Sequence, residues 1–170
     1  MEKWDILNSS GQPVGKTVVR GRSVLLKGEY HLVVHIWVES NDGKYLIQRR
    51  SEHKKLMPGE WAATGGAAIA GEDSFTAAKR ELKEELGIDS TKDTLKFVKR
   101  IKRRSAFVDI WKIRTNIDVS MLKLQATEVA SVKWVDKGTL LEMIKEGKFH
   151  DYGKYYWDVV LGKREKAEIK

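Results

Sequence analysis

One segment of 23 residues, Gly66–Ile88, constrains the fold of this chain more than any other part of the sequence. Its order, GAAIAGEDSFTAAKRELKEELGI, combines strong helix formers with Gly87, a residue typical of helix C-termini. The pattern predicts a helix of about three turns from Ser74 to Leu86. We call Gly66–Ile88 the glutamate segment.

Three glutamates of this predicted helix share one flank. At the helical period of about 100° per residue, Glu81, Glu84 and Glu85 fall within an arc of roughly 100°. The adjoining arc of roughly 80° is apolar and is expected to pack on a core; it contains Phe75, Ala78, Leu82 and Leu86. Like charges three and four residues apart repel one another. Oxygen-rich clusters without sulfur or imidazole suit hard cations, which predicts a site for Mg²⁺ or Mn²⁺.

A solvated helix face is the alternative interpretation of the same glutamates. Arg80 lies four residues before Glu84, and such alternation of charge is common on exposed helices. Taken singly, each residue favours that interpretation. The complete spacing favours a metal site.

The spacing G-x5-E-x7-R-E-U-x-E-E-x-G-U, where U is a bulky aliphatic residue, runs from Gly66 to Ile88. It resembles the Nudix box, the motif of the Nudix hydrolase superfamily. The resemblance implies that Glu81, Glu84 and Glu85 bind divalent metals and that Arg80 orients these carboxylates. It also implies that the backbone carbonyl of Gly65 joins the metal ligands. Glu72 matches a position that serves as an auxiliary ligand or as a loop brace.

Two residues outside the motif complete the predicted site. Glu128, in the stretch EVASVKW, stands where some relatives carry an acidic ligand or general base, so the catalytic prediction comprises Arg80, Glu84, Glu85 and Glu128. Arg50 matches a phosphate-contacting arginine of some relatives and is the predicted substrate-binding residue. For both outer residues, an ordinary surface position is the alternative.

Within that superfamily, the chain most resembles the branch that is similar to isopentenyl-diphosphate isomerases. The resemblance depends on the stretches 30–38 (YHLVVHIWV), 46–50 (LIQRR) and 58–66 (PGEWAATGG). In those isomerases a catalytic cysteine and a metal-binding histidine occur where this chain has Gly66 and Ala68, and the chain contains no cysteine. Isomerase activity is therefore not expected, although His31 matches another metal-binding histidine of that branch.

The order of predicted elements indicates an α/β fold, an α/β/α sandwich around a mixed β-sheet similar to the Nudix fold. We expect residues 1–170 to form a single domain with its core at about 30–147. The turn Asn41-Asp42-Gly43 predicts a β-hairpin. The predicted strands are 4–7, 30–38, 44–49, 95–104, 106–114 and 129–135, with a second helix at 137–146 that Asp136 caps; residues 13–27 remain unassigned.

Composition narrows the expected partners. The net charge is +8, with basic residues concentrated at 96–104 and in the tail Lys163–Lys170. Such a surface favours anionic partners, either a phosphorylated small molecule or RNA, although solubility alone would also explain it. The absence of cysteine excludes thiolate sites and disulfides. No long apolar run is present, so a cytoplasmic protein without membrane contact is expected, and homodimerisation is common among Nudix-like domains.

These features predict metal-dependent hydrolysis of a diphosphate linkage in a nucleoside diphosphate derivative or a related organic pyrophosphate. Aromatic residues such as Trp37, Trp61 and Trp111 would stack on a base or, more simply, pack in the core. Isomerisation of a prenyl diphosphate is one alternative function. A noncatalytic module that binds phosphate or RNA is the other.

Overall fold

The computed structural model describes residues 1–22 and 24–162. The basic tail Lys163–Lys170 therefore lies outside the described residues. The described part forms nine strands and three α-helices. In chain order these are β1 Lys3–Leu7, β2 Pro13–Val19, β3 His31–Glu39, β4 Tyr45–Arg50, β5 Trp61–Ala62, β6 Thr64–Ala67, α1 Ser74–Leu86, β7 Leu95–Lys102, β8 Ala106–Arg114, β9 Val129–Val135, α2 Lys137–Lys145 and α3 Lys154–Leu161.

The central strand of the main sheet is β3. It pairs in parallel with β8 along its whole length, from His31 opposite Ala106 to Glu39 opposite Arg114. On its other edge it pairs antiparallel with β6, and β7 pairs antiparallel with the far side of β8. Strand β4 joins β3 only near their connecting turn and then pairs with β9 and β5. The sheet is therefore mixed and opens between β3 and β4.

Helices cover both faces of this sheet. On one face, Leu82 of α1 lies in a buried apolar cluster with Val34 and Ile36 of β3. On the other face, Trp37 of β3 packs in a second cluster with residues of α2 and α3, including Tyr156. Alternate residues of β3 thus supply two cores. This arrangement confirms the predicted α/β/α sandwich.

Helix α1 begins and ends where the sequence predicts. The side chain of Asp73 accepts a hydrogen bond from the backbone N–H of Thr76 at 2.7 Å, which satisfies one of the free donors at the helix start. Gly87 adopts a φ of 72° and its N–H donates to Lys83 O. A left-handed residue at this position closes the helix with little strain only when it is glycine.

Several other predictions need correction. The turn at residues 41–43 forms, but only Val38 and Glu39 of β3 pair with β4, so the predicted hairpin is confined to its first residues. Strand β7 ends at Lys102 rather than at residue 104, because Ser105 lies in the turn to β8. Strand β2 falls in the unassigned region, and α3 was not predicted. In the described part, no helix combines the length and apolarity needed to cross a membrane.

Candidate functional site

The backbone at Gly65 and Gly66 brings β6 close to both β3 and α1. A Cβ atom on Gly65 would lie 2.0 Å from Val34 O, and the φ of this glycine is 152°. A Cβ on Gly66 would lie 2.6 Å from Glu81 Oε1. Glycine is needed at position 65, because a side chain would occupy the space of the neighbouring strand, whereas a side chain at position 66 would displace the Glu81 carboxylate.

Glu85 lies almost completely inside the protein, with 5% of its surface exposed. Its Oε2 accepts hydrogen bonds from Gln48 Nε2 at 2.7 Å and from the backbone N–H of Gly65 at 3.2 Å. Burial and then the charge of Glu81 raise the pKa of Glu85 to about 8. The two hydrogen bonds oppose this rise without cancelling it. Glu85 thus has an acidic neighbour and no cationic side chain in contact among the described residues.

Arg80 organises the other carboxylates of the glutamate segment. Its Nη1 lies 3.1 Å from Glu81 Oε1 and 3.1 Å from Glu84 Oε2. Its Nε and Nη2 donate to the two oxygens of Glu72 at 2.8 and 2.9 Å. Glu72 also accepts a hydrogen bond from the Ile69 N–H at 2.7 Å, so in this structure it braces the loop before α1. The pKa of Glu81 is raised, chiefly by burial and against the effect of Arg80.

The donor set fits a hard cation. The hydrogen bonds to Glu81, Glu84 and Glu85 each use one carboxylate oxygen, and the second oxygen of each has no protein hydrogen bond within the described residues. These second oxygens are Glu81 Oε2, Glu84 Oε1 and Glu85 Oε1. A divalent cation would also offset the cost of burying two neighbouring carboxylates.

In the described part of the chain, Glu81, Glu84 and Glu85 do not form a complete set of metal ligands. Among residues 1–22 and 24–162, no group of three or more His, Asp or Glu side chains is positioned to hold a metal ion. The contacts of Arg80 Nη1 with Glu81 and Glu84 give a physical reason, since these contacts direct one oxygen of each carboxylate towards the guanidinium. A metal ion held by these two side chains would therefore bind through the second oxygen of each carboxylate.

The two predicted residues outside the glutamate segment both contact the loop after β4. Glu128 forms an ion pair with Lys54, and its charge contributes to the raised pKa of Glu85, which places Glu128 near the glutamates. Arg50 Nε donates to the backbone carbonyl of Leu56 at 3.0 Å. Neither side chain is a freely solvated strand-end charge. Their proposed roles require these contacts to be exchanged for contacts with a ligand.

The predictions for the aromatic residues and for the basic stretch have different outcomes. Trp37 and Trp111 are core residues, 1% and 9% exposed, which agrees with the alternative that they pack in the core rather than stack on a base. Trp61 is half-buried, with Lys133 Nζ 4.6 Å from its ring centre. In the basic stretch 96–104, Arg100 pairs with the buried Asp109 at 2.7 Å. The basic strand is therefore not a uniform surface for anions.

The structure also brings together residues that the sequence did not single out as a group. Gln48 lies on β4 beneath Glu85. His35 is the register partner of Gly65, and its ring packs near Tyr152 and Tyr156. Gln48 follows the apolar residues Leu46 and Ile47 in β4, and a polar residue at that place in a strand could have indicated a functional contact. Tyr152 and Tyr156 lie more than 80 residues from Gly65, and no local pattern connects them to the site.

Comparison with known proteins gives a consistent result. A family model described as the NUDIX domain matches residues 29–158. An uncharacterised Nudix hydrolase of Listeria innocua is 40% identical over 155 residues, which span 89% of this chain and 90% of that protein. Nudix hydrolase 3 of Arabidopsis thaliana is 33% identical over 148 residues, covering 79% of this chain and 19% of that longer protein.

Solved structures show the same fold. A crystal structure of a Deinococcus radiodurans protein matches 96% of this chain and 100% of its own, with a TM-score of 0.79 and 24% identity. The NUDIX domain of Shewanella oneidensis NrtR, complexed with ADP ribose, matches 73% of this chain and 82% of its own, with a TM-score of 0.55 and 16% identity.

Proposed function

Because the chain belongs to the Nudix hydrolase family, whose members act on phosphoanhydride bonds, we propose that it hydrolyses a diphosphate linkage with the help of Mg²⁺ or Mn²⁺. The proposed substrate is a nucleoside diphosphate derivative or a related organic pyrophosphate. One observation carries the proposal: Glu81, Glu84 and Glu85 each keep one carboxylate oxygen without a protein hydrogen bond in the described residues. The raised pKa of Glu85, to which the charge of Glu81 contributes, agrees with it. A cation and a phosphorylated ligand would compensate this charge.

In this proposal Glu81, Glu84 and Glu85 hold the metal through their second oxygens, together with the carbonyl of Gly65. When bound, the ion would neutralise phosphate charge and lower the pKa of a coordinated water. Gln48 holds Glu85 Oε2 in place, and Oε1 has no protein hydrogen bond in the described residues. Arg80, anchored by two hydrogen bonds to Glu72, limits the movement of Glu81 and Glu84.

Glu128 is the proposed general base and Arg50 the proposed phosphate contact. Glu128 would take a proton from the attacking water, as a positioned carboxylate can do. It first has to leave Lys54, and an incoming phosphate offers Lys54 an alternative anionic partner. Arg50 likewise exchanges the Leu56 carbonyl for a charged phosphate oxygen, which is a stronger acceptor.

The nucleotide part of the substrate proposal has separate support. The Shewanella oneidensis NUDIX domain with the same fold binds ADP ribose. A protein named nucleoside triphosphatase NudI, from Escherichia coli, is 43% identical over 47 residues. One of these proteins binds a phosphorylated nucleoside and the other is named for acting on one, and we extend that ligand class to this chain.

The assignment to a branch of the superfamily remains a prediction. Similarity to the isopentenyl-diphosphate-isomerase-like branch depends on the stretches in and around β3, β4 and β6. Within the described residues, His31 stacks on Trp4 at 4.0 Å, so its ring is part of the β1–β3 packing. A single domain over residues 1–170, a homodimer and a cytoplasmic location are also predictions. RNA binding would depend on the basic stretch, in which Arg100 is used in an internal ion pair with Asp109.

The deciding experiment is a screen of the purified protein with Mg²⁺ and with Mn²⁺. The panel comprises nucleoside triphosphates, nucleotide sugars, ADP-ribose, dinucleoside polyphosphates, coenzyme A and prenyl diphosphates, with released phosphate and products as the readout. Glu85→Gln preserves an oxygen acceptor for Gln48 and Gly65 but removes the charge. We expect turnover to fall at least 100-fold in this variant and to stay normal in Glu142→Gln, which removes an exposed carboxylate from α2.

Two outcomes would contradict the proposal. Cleavage that persists in excess chelator would exclude metal dependence. Binding to oligonucleotides that weakens steeply with salt, together with no cleavage in the panel, would favour the RNA-binding module instead.

A further inference from the structure

A hydrogen-bonded chain runs from two buried side chains, Trp37 and Tyr156, to the partly buried His35. Trp37 Nε1 donates to the hydroxyl of Tyr156 at 2.9 Å, and Tyr156 Oη lies 2.6 Å from His35 Nδ1. Trp37 and Tyr156 are 1% and 0% exposed. The direction of the second hydrogen bond decides which nitrogen of His35 carries the proton.

The buried hydroxyl of Tyr156 settles that direction. Its oxygen already accepts the Trp37 N–H, and among the described residues the acceptor in reach of its own hydrogen is His35 Nδ1. If His35 Nδ1 were instead the donor, the hydroxyl hydrogen would be buried without a partner, at a cost of about 1 to 3 kcal/mol. Tyr156 therefore donates to Nδ1, and the proton of the neutral imidazole is on Nε2.

His35 lies beside the strand that contacts Glu85. His35 is opposite Gly65 in the β3–β6 pairing, and Gly65 N donates to Glu85. No protein acceptor for Nε2–H occurs in the described part of the chain, and the residue keeps some accessible surface. Burial, and next the positive charge of Arg103, lowers the pKa of His35 to about 3. Because Nδ1 accepts the hydrogen bond from Tyr156, the imidazole is neutral and its Nε2–H is a donor.

Tyr152 provides a second donor close to the first. Its ring centre lies 5.0 Å from that of His35. Its hydroxyl oxygen accepts the backbone N–H of Ala63 at 3.2 Å, which leaves its own hydrogen without an acceptor in the described residues. Arg50 and Glu85 are near enough to influence the pKa of Tyr152, which burial raises to about 12. The phenol therefore stays protonated beside both proposed site residues.

We infer that His35 Nε2–H and the Tyr152 hydroxyl form a two-donor subsite for a phosphoryl group, next to the carboxylates of α1. The identity of the ligand rests on the proposed function. The inference adds which part of the protein holds the second phosphate of that ligand. Tyr156 is a positioning residue, because it acts by fixing the tautomer of His35. Two donor hydrogens without protein acceptors match an anion with several oxygens, and Arg50 and Arg103 add positive charge around it.

The first test needs no variant. In protein labelled with ¹⁵N-histidine, two-bond ¹H–¹⁵N spectra distinguish the two neutral tautomers and the imidazolium. We expect His35 to show the Nε2–H tautomer from pH 5 to pH 8. Its Nε2 signal should shift when methylenediphosphonate, a diphosphate analogue that is not hydrolysed, is added with Mg²⁺. An Nδ1–H tautomer, or an Nε2 signal that the diphosphonate leaves unchanged, would overturn the inference.

The second test uses three substitutions. His35→Phe removes the donor but keeps a ring of similar shape, and we expect methylenediphosphonate to bind roughly ten- to a hundredfold more weakly, as for the loss of a hydrogen bond to a charged group. Tyr156→Phe should weaken binding less and should populate both tautomers of His35, a change that a merely structural role would not produce. His31→Phe is the matched control, because it changes the same residue type on β3 while keeping the stack on Trp4.

The inference and the proposed function can fail separately. Hydrolysis by the wild-type protein, with unchanged diphosphonate affinity in His35→Phe, would overturn the subsite and leave the hydrolase. Binding that depends on His35 in a protein that cleaves nothing in the panel would support the subsite and contradict the hydrolase. Circular dichroism of each variant establishes that a loss of binding is not a loss of folding.

Discussion

Glu85→Gln should stabilise the metal-free protein while removing its activity. The pKa of Glu85 rises from 4.5, its ordinary value, to about 8 in the folded protein. A carboxyl group with a higher pKa in the folded state destabilises the fold increasingly as the pH rises from the unfolded to the folded value. The full change corresponds to about 5 kcal/mol. Because part of it comes from repulsion by Glu81, we expect roughly 2 to 4 kcal/mol to appear between pH 5 and pH 8.

The assay is urea unfolding at several pH values in the presence of chelator. The free energy of unfolding of Glu85→Gln should exceed that of the wild type by an amount that grows with pH and levels off above pH 8. The same comparison with Glu142→Gln, an exposed helix position, should give a difference that does not depend on pH. A constant difference between Glu85→Gln and the wild type from pH 5 to pH 8 would refute the reasoning.

Three further substitutions test other parts of the structure. Gly66→Ala places a methyl group 2.6 Å from Glu81 Oε1, so metal-dependent turnover should fall at least about tenfold with an unchanged circular dichroism spectrum; normal turnover would contradict this. Arg100→Met leaves Asp109 buried without its partner and should cost about 2 kcal/mol in urea unfolding, whereas a loss below about 0.5 kcal/mol would show that water replaces the guanidinium. Asp73→Ala removes the cap of α1 and should cost about 1 kcal/mol, and a thermal midpoint equal to the wild type would argue against the cap.

Local signals account for the elements that the sequence predicts well. Helix α1 has a capping aspartate, a continuous set of helix formers and a closing glycine, and all three act within a few residues. Helix α3, Lys154–Leu161, lacks these signals: Gly153 precedes it without a side-chain cap, and its sequence KYYWDVVL is rich in aromatic and β-branched residues. It is helical because Tyr156, Trp157 and Val160 are buried in the core, which only the tertiary structure reveals.

The candidate site also has a part that local sequence predicts and a part that it does not. Residues of the glutamate segment share one helix, so their spacing predicts that Glu81, Glu84 and Glu85 lie on one side. The contacts that give them their chemistry come from elsewhere: Gln48 on β4 and Gly65 on β6 donate to Glu85. The burial that raises the pKa of Glu85 is likewise a property of the folded sheet. Spacing therefore predicts which carboxylates share one side of the helix, and could not predict their protonation.

The most direct test of the central claim is calorimetric titration of Mn²⁺ into the metal-free protein at pH 7, because it does not depend on knowing the substrate. The account predicts binding to the wild type and to Glu142→Gln, with release of a proton from Glu85, whose pKa of about 8 keeps it largely protonated. Binding to Glu85→Gln should be at least tenfold weaker and should release less proton. Equal affinity and equal proton release in all three proteins would contradict the assignment of the glutamates as the metal site.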